Sequence, residues 1–183
     1  MREWGVLGGV VVLLVAGFAL ADPQFLDVAT LGVIIGQVPP SLLLATGMTL
    51  VLLAGGIDLS VGSVLGLCGA VLGHTMVVWG WPLAAAIPVT VAVGLLCGTL
   101  NGVVTVLFRV PSFIVTLAML EMARAATYLV TGSRTLYIGA QVEPVTAIVA
   151  GVSVAFVVAI CIVALTEIAI RRTVFGRRVL AAL

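Results

Sequence analysis

A short polar segment, residues 55–63, lies between two long apolar stretches of the chain. It carries one carboxylate, two hydroxyls and three glycines, at Gly55, Gly56, Asp58, Ser60, Gly62 and Ser63. A charged side chain inside or beside a membrane is costly and is usually retained for function, for example along a solute or ion pathway. Asp58 is therefore the first candidate for chemistry in this sequence.

Two interpretations of Asp58 follow from its position. It can serve only as the N-cap of a helix that begins near Leu59 or Val61, with Ser60 as the competing cap. Alternatively, the same loop also shapes a transport pathway or a contact. Gly55 and Gly56 fit both interpretations, because a tight turn with positive φ favours glycine.

A second charged pair, Glu121 and Arg124, falls about midway along another apolar stretch. Residues three apart share one face of a helix, so the two charges partly neutralise each other. They form either a structural ion pair or part of a polar lining for a solute that carries hydroxyl groups. Asn101 and Thr116 are the uncharged polar residues that could join such a lining.

Composition assigns the chain to the membrane and argues against several function classes. Of 183 residues, 63% are hydrophobic and 8% are charged, whereas about a quarter of an average soluble domain is charged. A net charge of +1 gives no indication of nucleic-acid binding. The sequence has no lysine, so it lacks a Walker A phosphate loop. We find no nucleophile elbow, no acid–base pair and no metal-ligand spacing, and we therefore predict a protein that is not an enzyme.

Apolar runs of the length of a membrane helix predict an all-α integral membrane protein, a polytopic bundle of about six transmembrane helices. The runs are residues 4–21, 28–54, 61–79, 82–108, 112–130 and 145–170. We expect the first to be an uncleaved helix rather than a signal peptide. Pro39 and Pro40 predict a kink or break in the second, and a break would place the 55–63 loop deeper in the bundle.

The arginines predict the orientation of the bundle. Six of them lie at the ends of spans on one side of an even-numbered topology: Arg2, Arg109, Arg171, Arg172, Arg177 and Arg178. Arg134 alone falls on the other side. The positive-inside rule then places both termini and the 55–63 loop in the cytoplasm.

Small residues recur every four positions in the third and fourth runs. The rows are Gly62, Gly66 and Ala70; Gly69 and Gly73; and Gly94, Gly98 and Gly102. Such rows let helix backbones approach closely in lipid. We expect them to pack within this chain, with a subunit interface as the alternative.

Several blocks resemble a known family, the membrane-spanning permease subunits of bacterial ABC importers for ribose and related simple sugars. The most specific block is Gly-Gly-Ile-Asp-Leu-Ser-Val-Gly-Ser at 55–63, preceded by Ala-Thr-Gly-Met-Thr-Leu-Val at 45–51. A second block runs from Asn101-Gly102 to Phe-Arg-Val-Pro-Ser-Phe-Ile-Val-Thr-Leu at 108–117. Thr-Gly-Ser-Arg at 131–134 and Arg-Thr-Val-Phe-Gly-Arg at 172–177 continue the resemblance.

The resemblance implies a subunit that forms the translocation path in the bacterial inner membrane, usually as a homo- or heterodimer of permeases. It implies two further partners, a periplasmic or extracellular solute-binding protein and a cytoplasmic ATP-binding cassette subunit. ATP would bind that subunit, and this chain would bind no cofactor or metal. The ATPase-facing residues would be Arg109, Arg172, Phe175, Gly176 and Arg177, and the 55–63 loop would lie near the gate.

Family members continue past the point where this sequence stops, so the chain looks like a single transmembrane permease domain, 1–183, truncated before the ATPase-docking loop. Two alternatives to sugar import stay open. One is a permease of the same superfamily for a nucleoside, an autoinducer-type furanone or a branched-chain amino acid. The other is a non-functional truncated fragment.

Overall fold

A computed structural model describes residues 2–139, 148–149, 152–174 and 176. Within them lie six α-helices: α1 Arg2–Ala21, α2 Val28–Leu53, α3 Val61–Gly73, α4 Leu83–Phe108, α5 Ser112–Thr131 and α6 Val154–Arg172. A 3-10 turn, Pro23–Leu26, connects α1 to α2, and a π-helix, His74–Val78, extends α3. These elements confirm the predicted all-α class.

Five of the helices are long and apolar enough to cross a membrane, judged by length and composition. The apolar part of α1, Gly5–Ala21, is somewhat shorter. Large aliphatic side chains stay exposed along most helices, as at Leu13, Leu95 and Leu129. Such surfaces suit lipid rather than water, which agrees with the predicted bundle of about six spans.

The second span is a single helix, so the possibility that it breaks at Pro39 and Pro40 was wrong. α2 runs from Val28 to Leu53 with both prolines inside it. Each proline removes only its own N–H from the ladder. Breaking the helix would release further backbone groups, which is costly where no water can bind them. The loop that follows therefore begins at the end of one continuous helix.

The sixth helix begins later than the apolar run predicted. Residues 148–149 and 152–153 pair as short antiparallel strands, with Ile148 opposite Ser153, and α6 starts at Val154 rather than near 145. Valine and isoleucine dominate these positions. Because β-branched side chains favour extended backbone as readily as helix, apolarity alone did not locate this helix start.

The core lies among α3, α4 and α5. Its buried members are Leu67 on α3, Cys97 on α4, and Met119 and Ala123 on α5. The tightest association is between α3 and α5, while α2 packs on α6. The elements on either side of the 55–63 loop therefore belong to different parts of the bundle.

Helix packing within this chain explains only some of the glycines in the small-residue rows. A Cβ at Gly94 would lie 3.3 Å from the Cys68 sulfur, and one at Gly73 would lie 3.3 Å from Leu136 Cβ. By contrast, within the part of the chain that the structure describes, a Cβ at Gly62, Gly66 or Gly102 would meet nothing within 4 Å. Packing inside the chain thus accounts for Gly94 and Gly73, and the other faces lie open.

We predict that Gly94→Leu destabilises the bundle by about 1–3 kcal/mol, because the new side chain must displace Cys68 where α3 meets α4. Thermal unfolding in detergent measures the effect. Gly102→Leu is the matched control, because it makes the same gain in helix propensity in α4 but points into open space. Equal melting temperatures for the two variants would contradict the packing argument.

Candidate functional site

The 55–63 loop begins with a tight helix end that requires glycine for two different reasons. The Gly55 and Gly56 N–H groups donate to Leu52 O and Val51 O, both at 2.9 Å. Gly55 has φ of +74°, where other residues are strained. At Gly56 the reason is space, because a Cβ would lie 3.2 Å from Val51 Cγ1 and 3.4 Å from Ser112 Oγ. The turn therefore brings the loop directly against α5.

Asp58 is not the N-cap of α3. Ser60 occupies the cap position but makes no side-chain cap hydrogen bond. The Ser60 N–H and hydroxyl instead donate to Asp58 Oδ1, at 2.7 and 2.6 Å. A carboxylate that bonds the backbone two residues later stabilises a turn, so Asp58 holds the shape of the loop before the helix begins.

Asn101 ties this turn to α4. Its Nδ2 donates to Ser60 Oγ at 3.1 Å across 41 positions of sequence. Ser60 is 1% exposed and Asn101 is 7% exposed. Among the described residues, Asn101 Oδ1 is a buried oxygen without a hydrogen-bond partner. The three side chains form one chain of hydrogen bonds, and they line a cavity of about 310 Å³ beside Gly94.

Two hydroxyls of α5 hold the other side of the loop. The Ile57 N–H donates to Ser112 Oγ at 2.9 Å, and the Leu59 N–H donates to Thr116 Oγ1 at 3.1 Å. Thr116 is 3% exposed and its hydroxyl is bonded to the loop, so its predicted place in a polar pathway stays a prediction. No sequence signal indicated that Ser112, at the start of an apolar run, is a partner of the loop.

A groove that carries several polar side chains lies between α3 and α5. Its volume is about 470 Å³, and its lining includes Leu59, Gly62, Ser63, Arg124, Thr127 and Tyr128. Arg124 Nη1 lies 3.3 Å from Glu121 Oε1, and these side chains are 56% and 65% exposed. Ser63 and Arg124 therefore line the same groove, whereas Asn101 lines the cavity beside Gly94.

The structure describes three of the five residues that were predicted to face the ATPase. Arg109 ends α4 in the left-handed conformation with φ of +55°, and it is exposed. Arg172 is exposed in the last turn of α6. The Gly176 N–H donates to Thr173 Oγ1 at 3.2 Å. Phe175 and Arg177 lie outside the described residues.

The loop and Arg109 lie at the same end of the bundle, because the Ile57 N–H reaches Ser112 at the start of α5. Gly73, at the far end of α3, packs instead beside Leu136, which follows α5. The start and the end of α3 therefore lie at opposite ends of the bundle. This arrangement matches the alternating topology from which the orientation was predicted, and it leaves that orientation a prediction.

Comparison with known proteins identifies the family. Residues 30–182 match the family described as "Branched-chain amino acid transport system / permease component". The chain belongs to this family. It is a multi-pass membrane protein from a family of transport permeases, as its helices indicated.

Two relatives illustrate the similarity. The chain is 36% identical over 179 residues to the autoinducer 2 import system permease protein LsrC of Escherichia coli (strain K12 / DH10B), covering 96% of this chain and 52% of LsrC. It is 37% identical over 128 residues to the ribose import permease protein RbsC of Haemophilus influenzae, covering 70% of this chain and 39% of RbsC. The chain thus spans about half the length of the curated relatives it matches. No solved structure matches it.

We predict that Ser60→Ala destabilises the protein by about 1–3 kcal/mol, because it leaves the buried Asn101 amide without an acceptor. The double variant Ser60→Ala/Asn101→Leu should recover part of this loss, since replacing both partners removes the unpaired group. Thermal unfolding of the two single variants and the double variant measures the coupling. Strictly additive changes would contradict a direct Ser60–Asn101 interaction.

Proposed function

We propose that the chain is the permease subunit of an ABC importer and forms part of the path by which a ribose-like or other simple sugar crosses the bacterial inner membrane. The observation that carries the proposal is the groove between α3 and α5, where Arg124 lines the wall and pairs with Glu121 on an otherwise uncharged helix. Family membership and relatives named for import of ribose and of autoinducer 2 support it.

The groove offers both kinds of group that a sugar requires. Arg124 lines the groove and has guanidinium donors beyond the one that reaches Glu121. Glu121 holds Arg124 from beside the groove, and its exposed carboxylate is an acceptor for hydroxyl donors. Ser63 and Thr127 add hydroxyls to the lining, and the Tyr128 ring adds an apolar face. A polyhydroxylated solute needs alternating donors, acceptors and C–H contacts, so this combination suits it.

The ion pair also indicates what surrounds the groove. An arginine near the centre of a span that faces lipid costs about 2.5–3.5 kcal/mol on insertion scales, and an acidic residue is similarly unfavourable. Because both side chains are more than half exposed in the single chain, we infer that they face water or another subunit in the assembled transporter. A second permease copy, identical or not, is the proposed partner across this face, while the aliphatic faces contact lipid.

Energy for transport would come from outside this chain. The sequence has no lysine with which to build a Walker A loop. We propose that ATP binds a cytoplasmic ATP-binding cassette subunit, that a solute-binding protein delivers the sugar, and that both termini are cytoplasmic. Arg109 and Arg172 are exposed near helix ends, and they are the described residues proposed to face the ATPase.

We predict that Glu121→Gln and Arg124→Gln each lower the kcat/KM of import by roughly tenfold or more. Arg124→Gln removes the guanidinium that lines the groove, and Glu121→Gln removes the carboxylate that pairs with it. Uptake of radiolabelled ribose by cells that also produce the ATP-binding and solute-binding subunits measures this. Glu167→Gln is the matched control, because Glu167 pairs with Arg171 on α6 outside the groove. Its import should stay unchanged.

The same cells distinguish the alternatives. Autoinducer 2, a nucleoside or leucine imported in place of ribose would replace the sugar assignment with another solute of the superfamily. A chain that inserts but does not co-purify with an ATP-binding subunit would overturn the permease proposal in favour of a non-functional fragment. Equal uptake by the groove variants and the Glu167→Gln control would overturn the role of the groove.

A further inference from the structure

Side chains of α5 form hydrogen bonds with the backbone of the non-helical segment between α2 and α3. The N–H groups of Ile57 and Leu59 donate to Ser112 Oγ and Thr116 Oγ1, at 2.9 and 3.1 Å. Thr116 Oγ1 is also within donor distance of Ile57 O, at 3.2 Å. One buried hydroxyl therefore bridges an N–H and a carbonyl of the loop.

The spacing of the two partners matches. Residues 57–59 are not helical, and residues two apart in such a segment can be separated by up to about 6.6 Å. Residues four apart on a helix are separated along the axis by about 6 Å. Ser112 and Thr116 can therefore engage Ile57 and Leu59 together without distorting either element. The hydroxyl could otherwise bond within its own helix, and Phe113 O lies farther away, at 3.4 Å.

The same interaction reaches the groove. Leu59 lines the groove next to Gly62, and Thr116 Oγ1 accepts the hydrogen bond from the Leu59 N–H. Along α5, Leu120 and Arg124 follow Thr116 at intervals of four residues, and both line the groove. Thr116 thus links the loop to the helix that carries Arg124, the charged wall of the groove.

We propose that Ser112 and Thr116 are positioning residues that fix Leu59 at the loop end of the groove, so that the 55–63 loop and the charged wall of α5 move as one body during transport. This inference rests on the proposed function. Ser112 and Thr116 touch the loop, and they act on solute only through Leu59 and α5. A displacement of the loop at its end of the bundle would then carry the α5 wall of the groove with it.

Two variants of Thr116 test the proposal. Thr116→Val removes the hydroxyl but keeps the branched shape, and Thr116→Ser keeps the hydroxyl. Thr131→Val is the matched control on the same helix, because the Thr131 hydroxyl donates only to Thr127 O of its own helix among the described residues. Ser112→Ala is the milder second variant if Thr116→Val does not accumulate in the membrane.

The first measurement is hydrogen–deuterium exchange of the peptide that covers residues 54–60. We expect Thr116→Val to speed exchange in this peptide by roughly tenfold, because a hydrogen bond to the Leu59 N–H is lost. Thr116→Ser and Thr131→Val should leave it unchanged. Unchanged exchange in Thr116→Val would overturn the proposal whether or not the chain transports anything.

The second measurement is the number of ATP molecules hydrolysed per ribose imported by the complete transporter. We expect Thr116→Val to lower kcat of import by roughly tenfold while hydrolysis continues, and Thr116→Ser to restore import. A merely structural role would lower import and hydrolysis in proportion to the amount of folded protein, and that result would overturn the proposal. If the wild type imports none of the solutes while exchange still depends on Thr116, the linkage stands and the proposed function fails together with the coupling to transport.

Discussion

Between α2 and α3 the chain leaves helical geometry, and the backbone groups released there must be bound by side chains. Groups that are neither solvated nor paired destabilise a fold by about 1–3 kcal/mol each. Asp58 meets this requirement within the loop, and Ser112 and Thr116 meet it from α5. The arrangement of α3, α4 and α5 around the loop depends on these hydrogen bonds as well as on the small apolar core.

The structure separates two polar regions that look similar in sequence. Asn101 and Thr116 are buried against the loop and stabilise its shape. Glu121 and Arg124 are exposed beside the groove, where they can meet a solute or another subunit. Burial distinguishes them, because Thr116 is enclosed by its loop partners whereas Glu121 and Arg124 are more than half exposed.

Open glycine faces and the exposed Arg124 line the same groove. Among the described residues, a Cβ at Gly62 or Gly66 would meet nothing within 4 Å. Small residues let another helix approach closely, and mid-span charges require polar surroundings. Packing among the described residues does not use the open faces of Gly62 and Gly66, and the subunit interface that the sequence left as the alternative for the small-residue rows stays a prediction.

By itself, the sequence determined the membrane class, most of the helices and the family, because apolar run length and short signature blocks are local properties. It also indicated that Asp58, Glu121 and Arg124 matter, since charges in such a chain are costly. Only the tertiary structure decided that α2 continues through Pro39 and Pro40, that Asp58 bonds Ser60 instead of capping α3, and that Thr116 holds the loop. The loop contacts join residues 41 to 59 positions apart, and no local pattern specifies which distant hydroxyl a released backbone group will find.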